Sequence, residues 1–456
     1  MRIQKKQQGS VIIMTGLLML PIIAAIGLAI DSGIGYIIKA RLNTALDSAS
    51  IAAARAVTQG SDQATQAAYA KQAARDFFAA NYNDNYLNSV PVLNEPSVSF
   101  DGGKVTIDLS ASATVPVTFA RVMGFDQLVV GASAQSVRKD LDMALVMDTS
   151  GSLSSKGAAV RSSAITFLSK FSPTTDRVGL SHFAYGAVVD DAIKTSGRGF
   201  NRTLMTTHIN NFAFTGSTNS SEGMWTGRNQ LNGITQINRS SLRVIVFFSD
   251  GSPNSFASYF PFKTASDCST AGTIATGDGT TVSNTSGLYR IDQTNTQLTG
   301  KCITTGGTTI ASKMSKLPDW YNAHNSAANP NDPNTREFPI VTNTPRVVSN
   351  DLSTQTTAWR NVNRASRNLV EAVASKARDE GIYIFTLGLG QELLNANGPD
   401  AEKGEDLLKC MANVSDAPAR CYNPAKPVGV YCFANTENDL KPCFSRLASE
   451  ILRLTR

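Results

Sequence analysis

The chain has 456 residues, 42% hydrophobic and 17% charged, with a formal net charge of +6. That composition supports a packed core and excludes wholesale disorder, and the length allows two to four domains at roughly 100–200 residues each. The charge is small for the length and no long Lys/Arg run occurs, so nucleic acid is not an expected partner.

The first element is apolar. From Val11 through Leu20 to Ile30 there is no charged residue, enough for a helix to cross a bilayer at roughly 20 residues. Arg2, Lys5 and Lys6 precede it, and positive flanks stay inside. The expectation is a single-pass anchor in the inner (cytoplasmic) membrane through residues 11–30, with the bulk of the chain periplasmic or extracytoplasmic. Pro21 kinks such a helix without excluding it. A cleaved secretory signal is the alternative, since "GLAIDS" offers small residues near a cut. The apolar stretch nonetheless exceeds the usual ~7–15-residue signal core. A prepilin peptidase site is a third option, but with Gly9 as the cut point the expected Glu is Met14.

Helical spacing continues past the apolar run, with Ile34, Ile37, Ile38, Leu42, Ala45, Ala49 and Ala53 on one side. Ala45, Ala49 and Ala53 form a small-residue ridge that admits close approach of another helix. Either a membrane-proximal assembly stalk or a helix packed on its own domain accounts for it, and residues 1–57 form one anchor-and-stalk segment. Residues 58–138 then read as a small α+β module. Helical character runs to about Tyr82; "VSFDGGKVTIDLSASATVPV" gives two alternating strands around an Asp-Gly-Gly turn, and "QLVVGASAQSV" gives another.

From residue 139 to 456 strands alternate with helices. Strands are expected at "LDMALVM", "RVGLSHFAY", "LRVIVFFS" and "GIYIFTLGLG", mostly as the continuous apolar runs of parallel strands covered on both faces. Helices are expected at "KGAAVRSSAITFLSKF", "SEGMWTGRNQLNG", "WRNVNRASRNLVEAVASKARDE" and "NDLKPCFSRLASEILRL". The fold class is α/β, a doubly wound, mostly parallel sheet. Residues 252–353 interrupt it, rich in Thr, Ser, Asn and Gly. So long a structureless loop is uncommon in a compact domain, and an inserted subdomain is expected. Tyr259, Phe260, Phe262, Trp320 and Tyr321 within it are either contact anchors or the insertion's own small core.

Six cysteines, Cys268, Cys302, Cys410, Cys421, Cys432 and Cys443, suit an oxidising compartment. There is no C-x-x-C, which argues against a zinc ribbon. Six cysteines permit about 15 pairings; sequence proximity favours Cys268 with Cys302, and the other pairings stay open.

The chemistry gathers at strand ends. In an open parallel sheet ligands bind outside the carboxyl ends of the strands. Asp148 ends the first strand in "DTSGS", with Ser150 and Ser152 at alternate positions. Thr218 stands before a helix in "FTGSTNSSEGM", and Asp250 ends a later strand in "VIVFFSDG". Carboxylates with hydroxyls make a hard oxygen site for Mg²⁺, or for another hard divalent cation such as Mn²⁺ or Ca²⁺. Five protein groups leave an open position, which an acidic side chain of a protein partner can fill.

The D-x-S-x-S, G-x-T and strand-end Asp-Gly elements resemble a von Willebrand factor type A (vWA) domain. The resemblance implies a metal ion-dependent adhesion site at Asp148, Ser150, Ser152, Thr218 and Asp250, with the hydroxyls on the metal and the carboxylates acting partly through water. The N-terminal segment resembles the Tad (tight adherence) part of TadE/TadG-like pilus-assembly proteins, through the anchor helix, Asp31, Tyr36 and Asp47. "VPVTFARVMGFDQLVVGASAQS" and the terminal "LASEILRLTR" are also TadG-like. Together these imply a non-enzymatic, metal-dependent protein-binding component of Tad/Flp-type pilus assembly or anchoring, with other pilus-assembly proteins as partners. A surface adhesin or matrix-binding protein unrelated to pilus assembly is the alternative.

Enzyme classes fit less well. A phosphatase of the haloacid-dehalogenase type needs a second Asp two residues after the first, where Ser150 stands. No nucleophile elbow, H-E-x-x-H or P-loop occurs. His182 falls in a strand, as a core or surface residue with its bonds satisfied, and His208 and His324 show no pairing signal. No enzymatic activity is expected.

Overall fold

The computed structural model describes residues 10–57, 63–101, 104–264, 267–302, 310–314, 316–324 and 336–454. The chain divides into two compact units, Met1–Arg138 and Lys139–Thr455.

The first unit begins with α1 (Ser10–Ala56), which continues without a break through Pro21. Its N-terminal part is long and apolar enough to cross a membrane and is almost wholly exposed. Ile30 is 44% exposed; the side chains of Val11 and Leu20 lie outside the described part. Beyond this stretch the face changes. Ile38, Leu42, Ala45, Ala49 and Ala53 are fully buried against Ala70, Ala74 and Phe78 of α2 (Gln63–Asn81). The small-residue ridge therefore packs within its own unit. The remaining cover is a four-stranded sheet of β1 (Val90–Leu93), β2 (Ser97–Asp101), β3 (Lys104–Pro116) and β4 (Gln127–Lys139), in which β1 and β2 pair antiparallel with β3 and β4 also pairs with β3. The β2–β3 pairing runs to Asp101 with Lys104; the glycines of the expected Asp-Gly-Gly turn, Gly102 and Gly103, lie outside the described residues.

The second unit is built on a six-stranded sheet. In chain order its elements are β5 (Leu141–Asp148), α3 (Gly157–Leu168), β6 (Arg177–Phe183), β7 (Ala187–Asp191), α4 (Arg202–Asn210), α5 (Ser220–Asn232) and β8 (Leu242–Ser249). The insertion contributes β9 (Ser255–Ser258), β10 (Gly272–Ala275), β11 (Ser286–Tyr289) and the short α6 (Ile310–Lys313). Then come α7 (Gln355–Asp379), β12 (Tyr383–Leu389), β13 (Ala396–Asn397), β14 (Glu402–Lys403), α8 (Gly404–Ala412), β15 (Tyr431–Ala434) and α9 (Leu440–Leu454). The strand order is β15-β12-β8-β5-β6-β7, parallel except for the β6–β7 edge pair. The strand expected to reach Tyr185 ends at Phe183, where the chain turns into that edge hairpin.

Every residue of β5 and β8 is buried, because successive side chains point to opposite covered faces. Met143, Leu145 and Met147 face α3, α4 and α9. Ala144 and Val146 face α5, α7 and α8. The insertion packs on this second side. Phe256, Ile274, Leu288, Leu317 and Ile340 share one core with Val146, Ile245 and Phe247. It is therefore no self-contained subdomain. Phe260 and Tyr321 are buried in that shared core, and Phe262 packs against it.

The six cysteines form three disulfides, Cys268–Cys302, Cys410–Cys421 and Cys432–Cys443. The first closes a loop of the insertion, and the last ties β15 to α9.

Candidate functional site

The chain leaves β5 toward β6 on one side and later returns to β8 on the other, so the carboxyl ends of β5 and β8 flank the point where the strand order reverses. That crevice is where an open sheet binds ligands. Asp148 is the last residue of β5, and Asp250 directly follows β8. Short hydrogen bonds join them. The backbone N–H of Ser150 donates to Asp148 Oδ1 at 2.8 Å, turning the loop back on its own carboxylate. Ser150 Oγ and Ser152 Oγ are 3.2 Å apart, and Ser152 Oγ donates to Asp250 Oδ1 at 2.8 Å.

The loops are pinned from outside. Thr149 donates its N–H and its hydroxyl to Phe183 O at 2.9 and 3.0 Å. Gly151 N donates to Gly216 O at 3.2 Å, and Thr215 N to Thr149 O at 2.8 Å. Gly216 has φ +90°, open to glycine at no steric cost. Thr218 is held by Asn254, whose Oδ1 accepts from Thr218 N at 3.0 Å and whose N–H donates to Thr218 O at 3.2 Å. A Cβ placed on Gly251 would lie 3.5 Å from Thr218 Oγ1, which sets that hydroxyl beside the Asp250 turn. Asn219 caps α5 by accepting from Glu222 N at 3.2 Å.

All five oxygen-bearing side chains thus come from three loops at one rim. Asp148, Ser150, Ser152 and Asp250 are joined by hydrogen bonds, and Thr218 approaches through Gly251. Motif reading passed over two further residues. Ser249 Oγ donates to Asp148 Oδ2 at 2.6 Å, and Asn254 fixes Thr218. Neither lies in the motif; a hydroxyl immediately before the strand-end Asp was the available signal for Ser249.

Burial is the chief force on both carboxyls and pushes both pKa values up. For Asp148 the hydroxyls of Ser150 and Ser249 oppose it. For Asp250 the nearby Asp148 charge adds to burial, while Ser152 and Lys156 oppose it. Lys156 Nζ stands 3.9 Å from Asp250 Oδ2. Two carboxylates and three hydroxyls, with no sulfur or imidazole among them, form a donor set that fits a hard divalent cation.

A second polar cluster lies behind the rim. Glu222, fully buried on α5, accepts from Tyr321 Oη and lies 2.8 Å from His324 Nε2. Trp225 stacks on His324 at 3.5 Å. His182 meets Asp190 at 2.7 Å and His208 meets Asp191 at 2.8 Å. Each histidine therefore has a carboxylate partner, of which the sequence carries no sign for His208 and His324.

Residues 142–300 match the von Willebrand factor type A domain, and residues 9–56 match the Flp pilus-assembly TadE/G-like family. No curated protein matches the chain. Similar solved structures include the pilus adhesin SpaC from Lactobacillus rhamnosus GG, at 14% identity and TM-score 0.37, covering 79% of this chain and 34% of SpaC. The chain thus spans about a third of that protein's length. The PilB minor pilin from Streptococcus sanguinis is similar at 14% identity and TM-score 0.38, covering 81% of this chain and 80% of PilB. The vWF domain of the type V pili tip protein Mfa5 from Porphyromonas gingivalis is similar at 13% identity and TM-score 0.37, covering 70% and 98%. The chain combines an N-terminal TadE/G-like segment with a von Willebrand factor type A domain on a mostly parallel α/β sheet.

Proposed function

We propose that this chain is a non-enzymatic, divalent-metal-dependent protein-binding component of Tad/Flp-type pilus assembly or anchoring. Asp148, Ser150, Ser152, Thr218 and Asp250 would hold the cation, with Mg²⁺, Mn²⁺ and Ca²⁺ all suited to the oxygen donors. The bound ion would supply a positive centre that an acidic side chain of a partner completes. The chain's own contribution is to hold five oxygens at one rim, where Asp148, Ser150, Thr218 and Asp250 are buried and Ser152 is exposed; partial burial strengthens a charged contact there. The observation that carries this reading is the hydrogen-bonded run from Asp148 through Ser150 and Ser152 to Asp250 at the strand-order switch.

The apolar segment 11–30 is read as a single-pass anchor in the inner membrane, with the rest extracytoplasmic. The positive flank of Arg2, Lys5 and Lys6 supports that orientation, and three disulfides agree with an oxidising compartment. The TadE/G-like match supports pilus-assembly proteins as partners.

The test is crosslinking and pull-down of the intact protein from envelope extracts, with Mg²⁺ or with EDTA, for the wild type and Asp148→Ala. Capture of pilus-assembly proteins that needs Mg²⁺ and Asp148 is the expected result. Capture unchanged by EDTA overturns the metal reading. Metal-dependent adhesion with no pilus component captured favours the surface-adhesin alternative.

A further inference from the structure

Asp31 lies one residue past the apolar run and is buried. Its carboxylate accepts three backbone N–H bonds, from Thr118 at 3.2 Å, Phe119 at 3.0 Å and Ala120 at 2.7 Å. One helical turn earlier, a Cβ on Gly27 would lie 2.2 Å from Phe119 Cβ; one turn later, a Cβ on Gly35 would lie 2.5 Å from Leu128 Cδ2. Residues 27, 31 and 35 share one face of α1. That stripe seats the connection between β3 and β4 directly on the helix.

The seating gives the connection a depth. Leu128 meets the helix eight residues beyond Gly27, about 12 Å farther along the axis at ~1.5 Å per residue. The tip of the connection is therefore its end nearest the apolar run. Gly27 stands three residues, or about 4.5 Å, inside the last apolar residue, Ile30. At this tip Phe125 is 62% exposed and Phe119 39% exposed. Gly124, with φ +87°, turns the chain there. The two charges of the tip, Arg121 and Asp126, are paired with each other at 3.4 Å. Exposed Phe side chains beside the end of a membrane-crossing helix are placed to bury their rings at the headgroup–acyl boundary.

We propose that residues 117–126 form a second membrane contact, with Phe119 and Phe125 lying in the interface of the bilayer that the apolar helix crosses. The occupant is that bilayer because the loop is fixed to the same helix, by Gly27 within the apolar run and by Asp31 one residue past it. This inference rests on the anchor reading and adds a function to Asp31: it clamps the loop at membrane depth. One helix alone leaves rotation about its axis free; a second contact beside it sets the tilt and rotation of this unit on the membrane.

The six cysteines are all paired, so an added cysteine is the single site for a spin label. The full chain is reconstituted in phosphatidylcholine–phosphatidylglycerol nanodiscs carrying one label at Phe125→Cys, Leu18→Cys or Ser99→Cys. Ser99 pairs with Thr106, at the opposite end of β3 from the loop. Oxygen partitions into lipid and a nickel chelate into water, and their relative accessibility is read for each label. The expected result is a lipid-type reading at Leu18 and Phe125 and a water-type reading at Ser99. A lipid reading at Leu18 with a water reading at Phe125 overturns the inference and leaves the anchor standing. Protection of Phe125 from both reagents also overturns it. A water reading at Leu18 removes the anchor, and the inference with it.

Discussion

Replacing Asp250 by Asn separates the cost of holding two carboxylates together from the benefit of a bound cation. Asp148 is fully buried and Asp250 is 2% exposed. Burial raises Asp148 to about 6, and burial together with the Asp148 charge raises Asp250 to about 7. An unfolded Asp titrates near ~3.9. The folded state therefore holds these protons more tightly than the unfolded chain does. Without metal, the fold is favoured at low pH and loses that advantage as pH rises from ~4 through about 7. Every tenfold gain in proton affinity on folding corresponds to about 1.4 kcal/mol. The two sites share one repulsion, so the order of magnitude for removing one charge is ~2–4 kcal/mol above neutral pH. Asn keeps an Oδ1 acceptor for the Ser152 hydroxyl, now at 2.8 Å, while losing the charge. Scanning calorimetry of the detergent-solubilised full chain in EDTA should show Asp250→Asn melting several degrees above wild type near pH ~8, at ~2–4 °C per kcal/mol. The difference should shrink near pH ~4. If the rim holds the cation as proposed, excess Mg²⁺ should then raise the wild-type Tm and leave the variant where it was, since an ion bound by the native state alone stabilises it. A variant no more stable than wild type at pH ~8 in EDTA, or one that keeps the Mg²⁺-induced rise, would refute this account of the rim.

Asp31→Ala orphans three backbone donors, at about 1–3 kcal/mol for each one left buried; hydrogen exchange at Thr118, Phe119 and Ala120 should quicken while the β2–β3 hairpin keeps its protection. Tyr321→Phe removes a hydroxyl that donates to buried Glu222, and denaturant unfolding should show a loss of about 1–3 kcal/mol. An unchanged midpoint would mean that Glu222 is satisfied without it. Replacing Cys268 and Cys302 by Ser opens a crosslink of 34 residues' separation, worth ~4 kcal/mol by loop entropy; limited proteolysis should then cut within the insertion before it cuts the sheet.

The parallel sheet was legible because β5 and β8 are continuous apolar runs covered on both faces, and that pattern has few other uses. The rim was legible for a related reason. When a buried strand ends in Asp148 and its loop continues Ser150, Gly151, Ser152, the topology alone places those groups at the crevice. What lay beyond reading was support arriving from distant sequence. His324 finds Glu222 102 positions away, and Asn254 finds Thr218 across the end of β8. Such pairs leave no periodicity. The ridge of Ala45, Ala49 and Ala53 shows a different limit: close helix packing was readable, but whether the partner is another protein or α2 depends on where the chain turns after α1. The hairpin of β6 and β7 was missed because "FAY" continues the apolar run past the last paired residue.

The insertion shows how a segment of low apolar content can still be structural at the rim where the five oxygens gather. It leaves the sheet just after Asp250 and returns at α7, and its segment near Tyr289 comes back to the loops that carry the oxygens. Tyr289 stacks on Tyr185 at 3.5 Å. Tyr185 N, Gly186 N and Ala187 N donate to Thr294 O, Gln293 O and Ile291 O at 3.0, 3.1 and 2.9 Å. Asn295 Nδ2 donates to Thr215 Oγ1 at 3.0 Å. A Cβ on Gly216 would lie 2.8 Å from Thr294 O, and Gly216 is also the residue whose carbonyl receives Gly151. The same segment thus braces both the Thr218 loop and, through Gly216, the Asp148 loop. Excising it would expose the core residues it covers and leave Glu222 without Tyr321 and His324. The insertion is part of what holds the loops that carry the five oxygens in register.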